Sequence, residues 1–338
     1  MTGYDIGIDL GTTKIIIYRN RVGEILREPA VVAVNLKDNS VMAVGDEALK
    51  MLGKTPEYIV AEYPLKDGVI ADHNLTEVLI KDSIKKVCDS FLFKNRVVIC
   101  VPSSITDVEK RAVKEVLIGA GCRKVFVIEE PVAAAIGAGI DISKANGNLV
   151  VDIGGGTSDV AVISMSGVVC SKSIKVAGNK IDDDIIKYFA LTNKLSIGKR
   201  MAEKIKIDIA CVFKPSRNIT ATVKGRNLLT GYPQKIEVSQ LDLYDTVIAF
   251  ANEIVGAIKY VLDKTPPELS SDIYSNGIIL TGGGALLSGL DEYIQSMVGF
   301  KVKIADSPIE CVSIGTGKAF DYIDTLQNGF SKESVCDY

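Results

Sequence analysis

The sequence has almost no histidine and no closely spaced cysteine pairs. His73 is the only histidine among 338 residues, and the sequence gives no case for a histidine-based zinc site or for a Ser-His-Asp triad. We expect it to lie in the loop IADHN before a helix. The seven cysteines contain no C-x-x-C pair, and several stand in apolar runs. They are expected to be buried free thiols in a reducing compartment.

Long apolar runs and an excess of positive charge are also absent. No run approaches the roughly 18 apolar residues that cross a bilayer, and MTGYDIGIDLG lacks the features of a signal peptide. Lys plus Arg number 39 against 42 Asp plus Glu, a net charge of −3. With no basic arm, this argues against nonspecific nucleic-acid binding. We therefore expect a cytoplasmic protein that binds no nucleic acid and has about two domains.

Short apolar runs alternate with helical patterns along the chain, which indicates an α/β architecture. The predicted strands are Tyr4–Asp9, Ile15–Tyr18, Val97–Val101, Val125–Ile128, Leu149–Asp152, Val160–Ile163 and Ile278–Leu280. A helix is predicted to begin at Thr106, which forms a capping box with Glu109. Its apolar face is predicted to contain Val108, Ala112, Val116 and Leu117. The last dozen or so residues resemble a loose polar tail.

Two segments repeat one pattern. GIDLGTTK (Gly7–Lys14) and VDIGGGTSD (Val151–Asp159) both contain an apolar strand, an aspartate, a glycine turn and hydroxyl residues. Each half continues toward a helix rich in small residues, EEPVAAAIGAG or GTGKAFDYI. Two related domains that face each other across a cleft account for this repeat.

The two turns have the chemistry of a polyphosphate site. Glycine lets backbone N–H groups approach an anion closely. Thr12, Thr13, Thr157 and Ser158 can add hydroxyl donors. Asp9 and Asp152 are predicted to lie on the Mg²⁺ side of the phosphates and to bind the ion through water. One such turn alone would favour an ordinary tight hairpin, but two in matching context favour the binding site.

A third glycine cluster, ILTGGGALLSG (Ile279–Gly289), follows a predicted strand. It does not match G-x-G-x-x-G, because Leu287 occupies the last glycine position, and no G-x-x-x-x-G-K-[ST] occurs. The sequence therefore gives little support to the hypothesis of a dinucleotide-binding protein or a P-loop protein. A glycine turn that opens a helix still suits a phosphate or a ribose. Close packing of a helix on a sheet is the alternative explanation.

These motifs together resemble the superfamily of actin, sugar kinases and heat-shock chaperones, and within it the MreB family of bacterial actins. The likeness covers nearly the whole chain. It includes IGIDLGT, PLKDGVIAD, IEEPVAAAIGAG, VVDIGGGTSDVAVIS, AEKIKIDI, KTPPEL and GIILTGGGALLSGLDE. The resemblance implies an α/β actin-like fold with two ribonuclease-H-like domains around a nucleotide cleft, each with a smaller inserted subdomain. The implied boundaries are residues 1–30 and 73–143 for subdomain IA, 31–72 for IB, 144–182 and 244–325 for IIA, 183–243 for IIB, and 326–338 for a C-terminal tail.

The resemblance also implies ATP or ADP with Mg²⁺ in the cleft, and it assigns residues to parts of that ligand. The phosphates are assigned to Gly11, Thr12, Thr13, Gly154, Gly155, Gly156 and Thr157. Gly282, Gly283 and Gly284 are assigned to the adenosine, and Glu203 and Lys206 to the ribose and adenine. For Glu203 and Lys206, the alternative is that the two side chains form an ordinary solvent-exposed pair on one helix. Glu130 is the carboxylate that would orient the attacking water.

The sequence departs from the family pattern beside the phosphates. Ser158 and Asp159 stand where the family usually has Thr and Glu. An acid shorter by one methylene withdraws its oxygen by about 1 Å, which can cost on the order of 100-fold in rate. Nucleotide binding with slow hydrolysis is therefore expected, with Ser158 and Asp159 as catalytic candidates. Alternatively, Asp159 faces solvent or a lysine. Lys14 replaces the usual Asn, and it would either reach the phosphates or lie on the surface.

Filament formation is inferred from the family alone.

A membrane contact is predicted in CDSFLFKNR, where Phe91, Leu92 and Phe93 would insert into the bilayer while Lys94 and Arg96 meet anionic headgroups. The alternative is that these three residues belong to the core. We accordingly expect a protein at the inner face of the cell membrane, and the family adds other cytoskeletal or wall-synthesis partners.

Three other functions fit the same superfamily. A small-molecule kinase could use Glu130 as its base, but no sugar-binding insertion is evident. A chaperone ATPase would need a substrate domain after GTGKA, where about 20 residues remain. A nucleotide-binding scaffold that polymerises with negligible turnover is favoured by the Ser158 and Asp159 replacements.

Overall fold

The structure is a computed structural model that describes residues 4–88, 95–213, 219–323 and 330–331. The strands within these ranges are β1 (Asp5–Leu10), β2 (Lys14–Arg19), β3 (Gly23–Pro29), β4 (Val32–Asn35), β5 (Ser40–Val44), β6 (Ile59–Glu62), β7 (Leu65–Lys66), β8 (Val69–Ile70), β9 (Arg96–Val101), β10 (Lys124–Glu129), β11 (Asn148–Ile153), β12 (Ser158–Ser164), β13 (Gly167–Ile174), β14 (Leu195–Ser196), β15 (Thr220–Asn227), β16 (Pro233–Ser239), β17 (Ile278–Thr281), β18 (Val302–Ile304) and β19 (Phe330–Ser331). The helices are α1 (Asp46–Met51), α2 (His73–Val87), α3 (Asp107–Gly119), α4 (Glu130–Gly137), α5 (Gly178–Thr192), α6 (Lys199–Ile209), α7 (Gln240–Lys264), α8 (Pro267–Asn276), α9 (Leu290–Val298) and α10 (Cys311–Lys318).

Two sheets of matching topology form the centres of two lobes. The first sheet has the order β19-β10-β9-β1-β2-β3, and the second has the order β13-β12-β11-β17-β18. In each, an antiparallel meander (β1-β2-β3 or β11-β12-β13) is extended by two parallel strands (β9 and β10, or β17 and β18). The sequence repeat is therefore a repeat of five strands in space.

Both faces of the first sheet are covered, which explains why its central strands are almost wholly apolar. Along β9, Val97 and Ile99 pack into a core beneath α2 and α3, whereas Val98 and Cys100 point to the other face. This alternation follows the two-residue period of a strand. The second lobe has its own core, built from β11 and β12 with α5, α7 and α9.

The two helices rich in small residues lie between the lobes. Helix α10 packs on β1 and β2 of the first sheet, while α4 contacts β11 and β12 of the second, and the two helices pack on each other. A Cβ atom on Gly137 would lie 1.8 Å from the Cys311 carbonyl oxygen, and one on Gly315 would lie 1.8 Å from that of Ala133. Glycine is required at both positions because backbone meets backbone.

Each lobe carries a smaller sheet inserted between its main elements. The sheet β5-β4-β6 with α1 lies between β3 and α2, over a small core of Val31, Ala33 and Ala48. The sheet β14-β15-β16 lies between α5 and α7, and β15 packs against α6. These insertions fall within residues 31–72 and 183–243.

Several local predictions are confirmed and others are wrong. The capping box of Thr106 and Glu109 is present at the start of α3. Val108, however, is 78% exposed, and the buried face contains Val113, Val116 and Leu117. Residues 108 and 113 lie about 140° apart around a helix, so they cannot share a face.

Two further differences concern segments that were predicted to lack regular structure. His73 is the first residue of α2, and Asp72 caps that helix by accepting a hydrogen bond from the Leu75 amide. Phe330 and Ser331, predicted to belong to a loose tail, pair with Ile128 and Val127 of β10.

Six cysteines in the described ranges form no disulfide. Among the helices in those ranges, none combines the length and apolar character needed to cross a bilayer.

Candidate functional site

All three glycine turns border one cavity of about 440 Å³ between the lobes. The predicted site residues that line it are Asp9, Gly11, Thr12, Thr13, Lys14, Glu130, Asp152, Gly154, Gly155, Gly156, Thr157, Glu203, Lys206, Gly282, Gly283 and Gly284. Residues from five parts of the sequence thus meet in a single space of the size that small-molecule sites have.

The first turn joins β1 to β2. The Gly11 amide donates to the Lys14 carbonyl oxygen over 3.0 Å, which closes the hairpin. Thr12 Oγ1 accepts a hydrogen bond from the Gly68 amide over 3.1 Å. Lys14 is exposed and also lines the cavity, and its contact with the phosphates stays a prediction.

The second turn joins β11 to β12 and faces the first. The Gly154 amide donates to the Thr157 carbonyl oxygen over 3.0 Å. A Cβ atom on Gly156 would lie 2.5 Å from Thr12 Oγ1, so a side chain there would collide with the first turn. The two turns are therefore in close contact across the cleft.

Two carboxylates stand beside these turns, and no cation among the described residues offsets the effect of burial on their pKa values. Burial raises the pKa of Asp9 to about 6 and that of Asp152 to about 7. The negative charges of Asp159 and Asp9 raise the pKa of Asp152 further, whereas a hydrogen bond from Thr281 lowers it. A divalent cation between the two carboxylates would remove this repulsion, so the residues fit Mg²⁺.

Within the described residues, no group of three or more His, Cys, Asp or Glu side chains is arranged to hold a metal ion. A cation at Asp9 and Asp152 would therefore take its other ligands from phosphate and water, as Mg²⁺ commonly does.

Glu130 begins α4 and lines the cavity, whereas Glu129 is the last residue of β10. Burial raises the pKa of Glu130 well above its ordinary value, and the charges of Asp159, Asp152 and Asp9 raise it further. Four acids thus lie close enough to affect one another at the base of the cleft.

The third turn packs tightly on the second lobe's sheet. Gly282 has a φ of 79°, and a Cβ atom on it would lie 2.3 Å from the Ile153 carbonyl oxygen. A Cβ atom on Gly284 would lie 2.1 Å from Ile153 Cγ2. Gly282 and Gly284 therefore pack closely on β11 and also line the cavity, whereas their contact with a phosphate or a ribose stays a prediction.

Helices α5 and α6 form the remaining wall. Lys206 Nζ donates to the Gly178 carbonyl oxygen over 3.0 Å and forms an ion pair with Asp182 at 2.9 Å. Burial raises the pKa of Asp182 to about 6, although Lys206 opposes the shift.

The sequence analysis missed part of this wall. Gly178 and Asn179, at the start of α5, line the cavity. Their amides donate to the carbonyl oxygens of Gly154 and Gly155 over 3.0 and 2.8 Å. A glycine that opens a helix directly after a strand, as in VAGNKID, was the available signal.

Comparison with known proteins agrees with this geometry. A family model described as MreB/Mbl protein matches residues 3–328. The chain belongs to the MreB/Mbl family. It is 47% identical over 327 residues to the cell shape-determining protein Mbl of Bacillus subtilis (strain 168), covering 96% of this chain and 98% of that protein. It is 44% identical over 330 residues to the cell shape-determining protein MreB of Escherichia coli (strain K12), covering 96% and 95%.

A solved structure of the family has the same fold. The crystal structure of MreB 5 of Spiroplasma citri bound to AMPPNP superposes with a TM-score of 0.90 at 36% identity, and the match covers 96% of this chain and 97% of that one. The predicted family and the predicted actin-like fold are thereby confirmed.

Two groups of predicted residues differ from the rest in placement. Ser158 and Asp159 are fully buried in β12 and do not line the cavity, so Asp159 faces neither solvent nor the ligand space. The Ser158 hydroxyl donates to the Val176 carbonyl oxygen over 2.6 Å. Phe91, Leu92 and Phe93 lie outside the described residues of this MreB/Mbl family member.

Proposed function

We propose that this chain binds ATP and ADP with Mg²⁺ in the cleft, hydrolyses ATP slowly, and polymerises into filaments that govern cell shape at the inner face of the cell membrane. The observation that carries this proposal is the single cavity bordered by three glycine turns, with Asp9 and Asp152 in its lining and the pKa of each raised. The cell shape-determining relatives and the AMPPNP-bound relative support it.

Each element of the cavity has a part in nucleotide binding. Backbone amides and hydroxyls of Gly11–Thr13 and Gly154–Thr157 would bind the phosphates, and Asp9 and Asp152 would hold Mg²⁺. The bound ion would offset phosphate charge. Gly282–Gly284 would lie against the adenosine. Lys206, already fixed by Asp182, would approach the ribose and adenine together with Glu203.

Glu130 is proposed to orient the attacking water, and its surroundings favour slow turnover. An ionised carboxylate accepts a proton from water better than a neutral one, and three neighbouring acids favour the neutral form of Glu130. Neutralisation of Asp9 and Asp152 by a cation would lower the pKa of Glu130 and so increase the ionised fraction of this carboxyl group, the form that accepts a proton.

Nucleotide binding is tested by titrating a fluorescent ATP analogue with and without Mg²⁺. Asp9→Asn and Asp152→Asn are expected to reduce the Mg²⁺-dependent part of the affinity at least tenfold, on the order of one charge-assisted interaction. Asp263→Asn is the control, because that side chain is exposed on α7 away from the cavity. Equal affinity in all four proteins would contradict the proposed site.

Turnover and assembly are tested together by light scattering and phosphate release after ATP addition, with electron microscopy of the product. Assembly accompanied by slow phosphate release supports the proposal. Assembly with negligible phosphate favours the alternative of a nucleotide-binding scaffold, which the burial of Asp159 away from the cavity supports. Sugar-dependent ADP formation without assembly would favour a small-molecule kinase. The same assay also tests whether the shorter acid at position 159 slows hydrolysis. Equal phosphate-release rates for wild type and Asp159→Glu would refute that effect.

The membrane contact is proposed for Phe91, Leu92 and Phe93 on sequence grounds. Three inserted apolar side chains would contribute a few kcal/mol per subunit, multiplied in a filament by avidity. Liposome pelleting of a variant with serine at all three positions, with folding checked by circular dichroism, tests this contact. Undiminished pelleting would refute it.

A further inference from the structure

Asp159 connects the two lobes through one hydrogen bond. It lies on β12 of the second lobe and is fully buried. Its Oδ1 accepts a hydrogen bond from the backbone amide of Ser103 over 2.9 Å. Ser103 directly follows Pro102 in the loop after β9, so the donor belongs to the first lobe. A carboxylate that accepts from an amide in a buried setting makes one of the stronger hydrogen bonds in proteins.

Asp159 lies between two neighbouring strands of the second lobe's sheet. Asp159 is paired in register with Asp152 on one side and with Ser173 on the other. Burial raises the pKa of Asp159 to about 6, and the hydrogen bond from the Ser103 amide opposes the rise. Through this bond the carboxylate connects its own strand in the second lobe to a loop of the first lobe.

This contact lies next to the phosphate turn. Thr157, two residues before Asp159, lines the cavity. A Cβ atom on Gly68 would lie 2.7 Å from Pro102 Cγ and 3.1 Å from Thr157 Cγ2, so these residues pack together at the cavity edge. A shift of β12 relative to Pro102 and Ser103 would therefore move Thr157 and open the space around the phosphates.

We propose that Asp159 is a positioning residue that holds the Gly154–Thr157 turn against the Pro102–Ser103 loop and thereby slows nucleotide release. It acts through the Ser103 amide, without touching the nucleotide. The proposal rests on the nucleotide-binding function proposed above, and it assigns to Asp159 a role in retention of the ligand.

The test compares Asp159→Ala, which removes the acceptor, with Asp159→Asn, which keeps one acceptor oxygen for the Ser103 amide. Asp272→Ala is the matched control, because Asp272 accepts a hydrogen bond from the Gly147 amide over 2.8 Å within the second lobe alone. Release of a methylanthraniloyl-labelled ATP is followed by stopped flow after chase with unlabelled ATP. Hydrogen exchange of the peptide that contains Ser103 is measured by mass spectrometry on the nucleotide-free proteins.

Asp159→Ala is expected to release the labelled nucleotide about tenfold faster than wild type, the effect of losing one charge-assisted hydrogen bond. Hydrogen exchange at the Ser103 amide should also be faster in this variant than in the wild type. Asp159→Asn should stay within about threefold of wild type, and Asp272→Ala should lower thermal stability without changing release or Ser103 exchange.

Two results would overturn the positioning role. Release from Asp159→Ala at the wild-type rate would show that the contact does not retain the nucleotide, while the proposed function would stand. Equal acceleration by Asp272→Ala would show that the effect is general destabilisation. Absence of labelled-ATP binding by the wild-type protein would instead refute the proposed function, and the positioning role with it.

Discussion

Thr281 donates its hydroxyl hydrogen to the Asp152 carboxylate over 2.7 Å, and both side chains are buried. The two residues are paired in register on the parallel strands β17 and β11. Gly282, the first residue of the third turn, follows Thr281 directly. One hydrogen bond thus connects the proposed metal-side carboxylate to the turn proposed to contact the adenosine.

Replacement of Thr281 by valine should destabilise the fold and weaken Mg²⁺-dependent nucleotide binding. The change leaves a buried carboxylate with one donor fewer, which costs about 1–3 kcal/mol, and raises the pKa of Asp152 further. Urea unfolding and titration of labelled ATP measure the two effects. Thr265→Val is the control, since Thr265 is also buried and donates to the Val261 carbonyl oxygen at the far end of α7. If both variants lost nucleotide affinity equally, the connection would have no specific role.

The stability of the nucleotide-free protein should depend on the titration of Asp152. Its pKa is raised from 3.8 to about 7 by burial and by neighbouring acids. Between these values the folded state binds a proton that the unfolded chain has released, so this residue's contribution to the free energy of unfolding falls as pH rises. The shift corresponds to a few kcal/mol, at about 1.4 kcal/mol per unit.

This dependence is measured by melting wild type and Asp152→Asn without nucleotide from pH 5 to about pH 8, the range of the raised pKa. The melting temperature of the variant minus that of the wild type should increase with pH and level off above the folded-state pKa. A difference that does not change with pH would show that Asp152 titrates normally. Magnesium binding should strengthen over the same range, because the ion competes with the proton.

The contact between α4 and α10 should not tolerate even one added methyl group. Gly137→Ala and Gly315→Ala place a Cβ atom 1.8 Å from a backbone carbonyl oxygen of the other helix. Each should lower the free energy of unfolding by about 3 kcal/mol or more, because no flexible side chain can move aside. Gly256→Ala in α7 is the control. It meets no neighbouring atom and should stabilise the protein by about 0.5–1 kcal/mol. Similar melting temperatures for all three variants would contradict the close contact.

Removal of the Lys206 cation should weaken nucleotide binding and leave Asp182 as a buried, unpaired acid. Lys206→Met is expected to cost about 3 kcal/mol of stability, as when a buried ion pair loses one partner, and to raise the pKa of Asp182 above its present value of about 6. The exposed Lys187, 3.4 Å from Asp184, provides the comparison. Lys187→Met should cost less than about 1 kcal/mol. Unfolding curves and labelled-ATP titrations of the two variants check both expectations.

The fold and the two glycine turns at Gly11 and Gly154–Gly156 could be predicted from the sequence because their signals are local. Strand alternation, an aspartate at a strand end and a glycine turn all occur within a dozen residues, and β1-β2 and β11-β12 follow them closely. The same locality explains the capping box at Thr106.

Relationships between distant segments could not be predicted. The hydrogen bond from Ser103 to Asp159 spans 56 residues and two lobes, and no spacing rule encodes it. Asp159 follows a phosphate turn in sequence and was therefore expected beside the ligand, but strand β12 turns its side chain toward the other lobe. Val108 shows a different difficulty. It fits the helical pattern of α3, but the side of α3 that is buried is decided by contacts with α2 and the sheet, and Val108 lies on the exposed side.

The glycine contact between α4 and α10 also restricts how the lobes can move. Backbone atoms packed on backbone atoms resist sliding, because any translation drives a carbonyl oxygen into the opposite chain. Rotation about the contact remains available. Glu130 of α4 and Val312 of α10 both line the cavity, so a rotation at this contact would change the shape of the cavity directly.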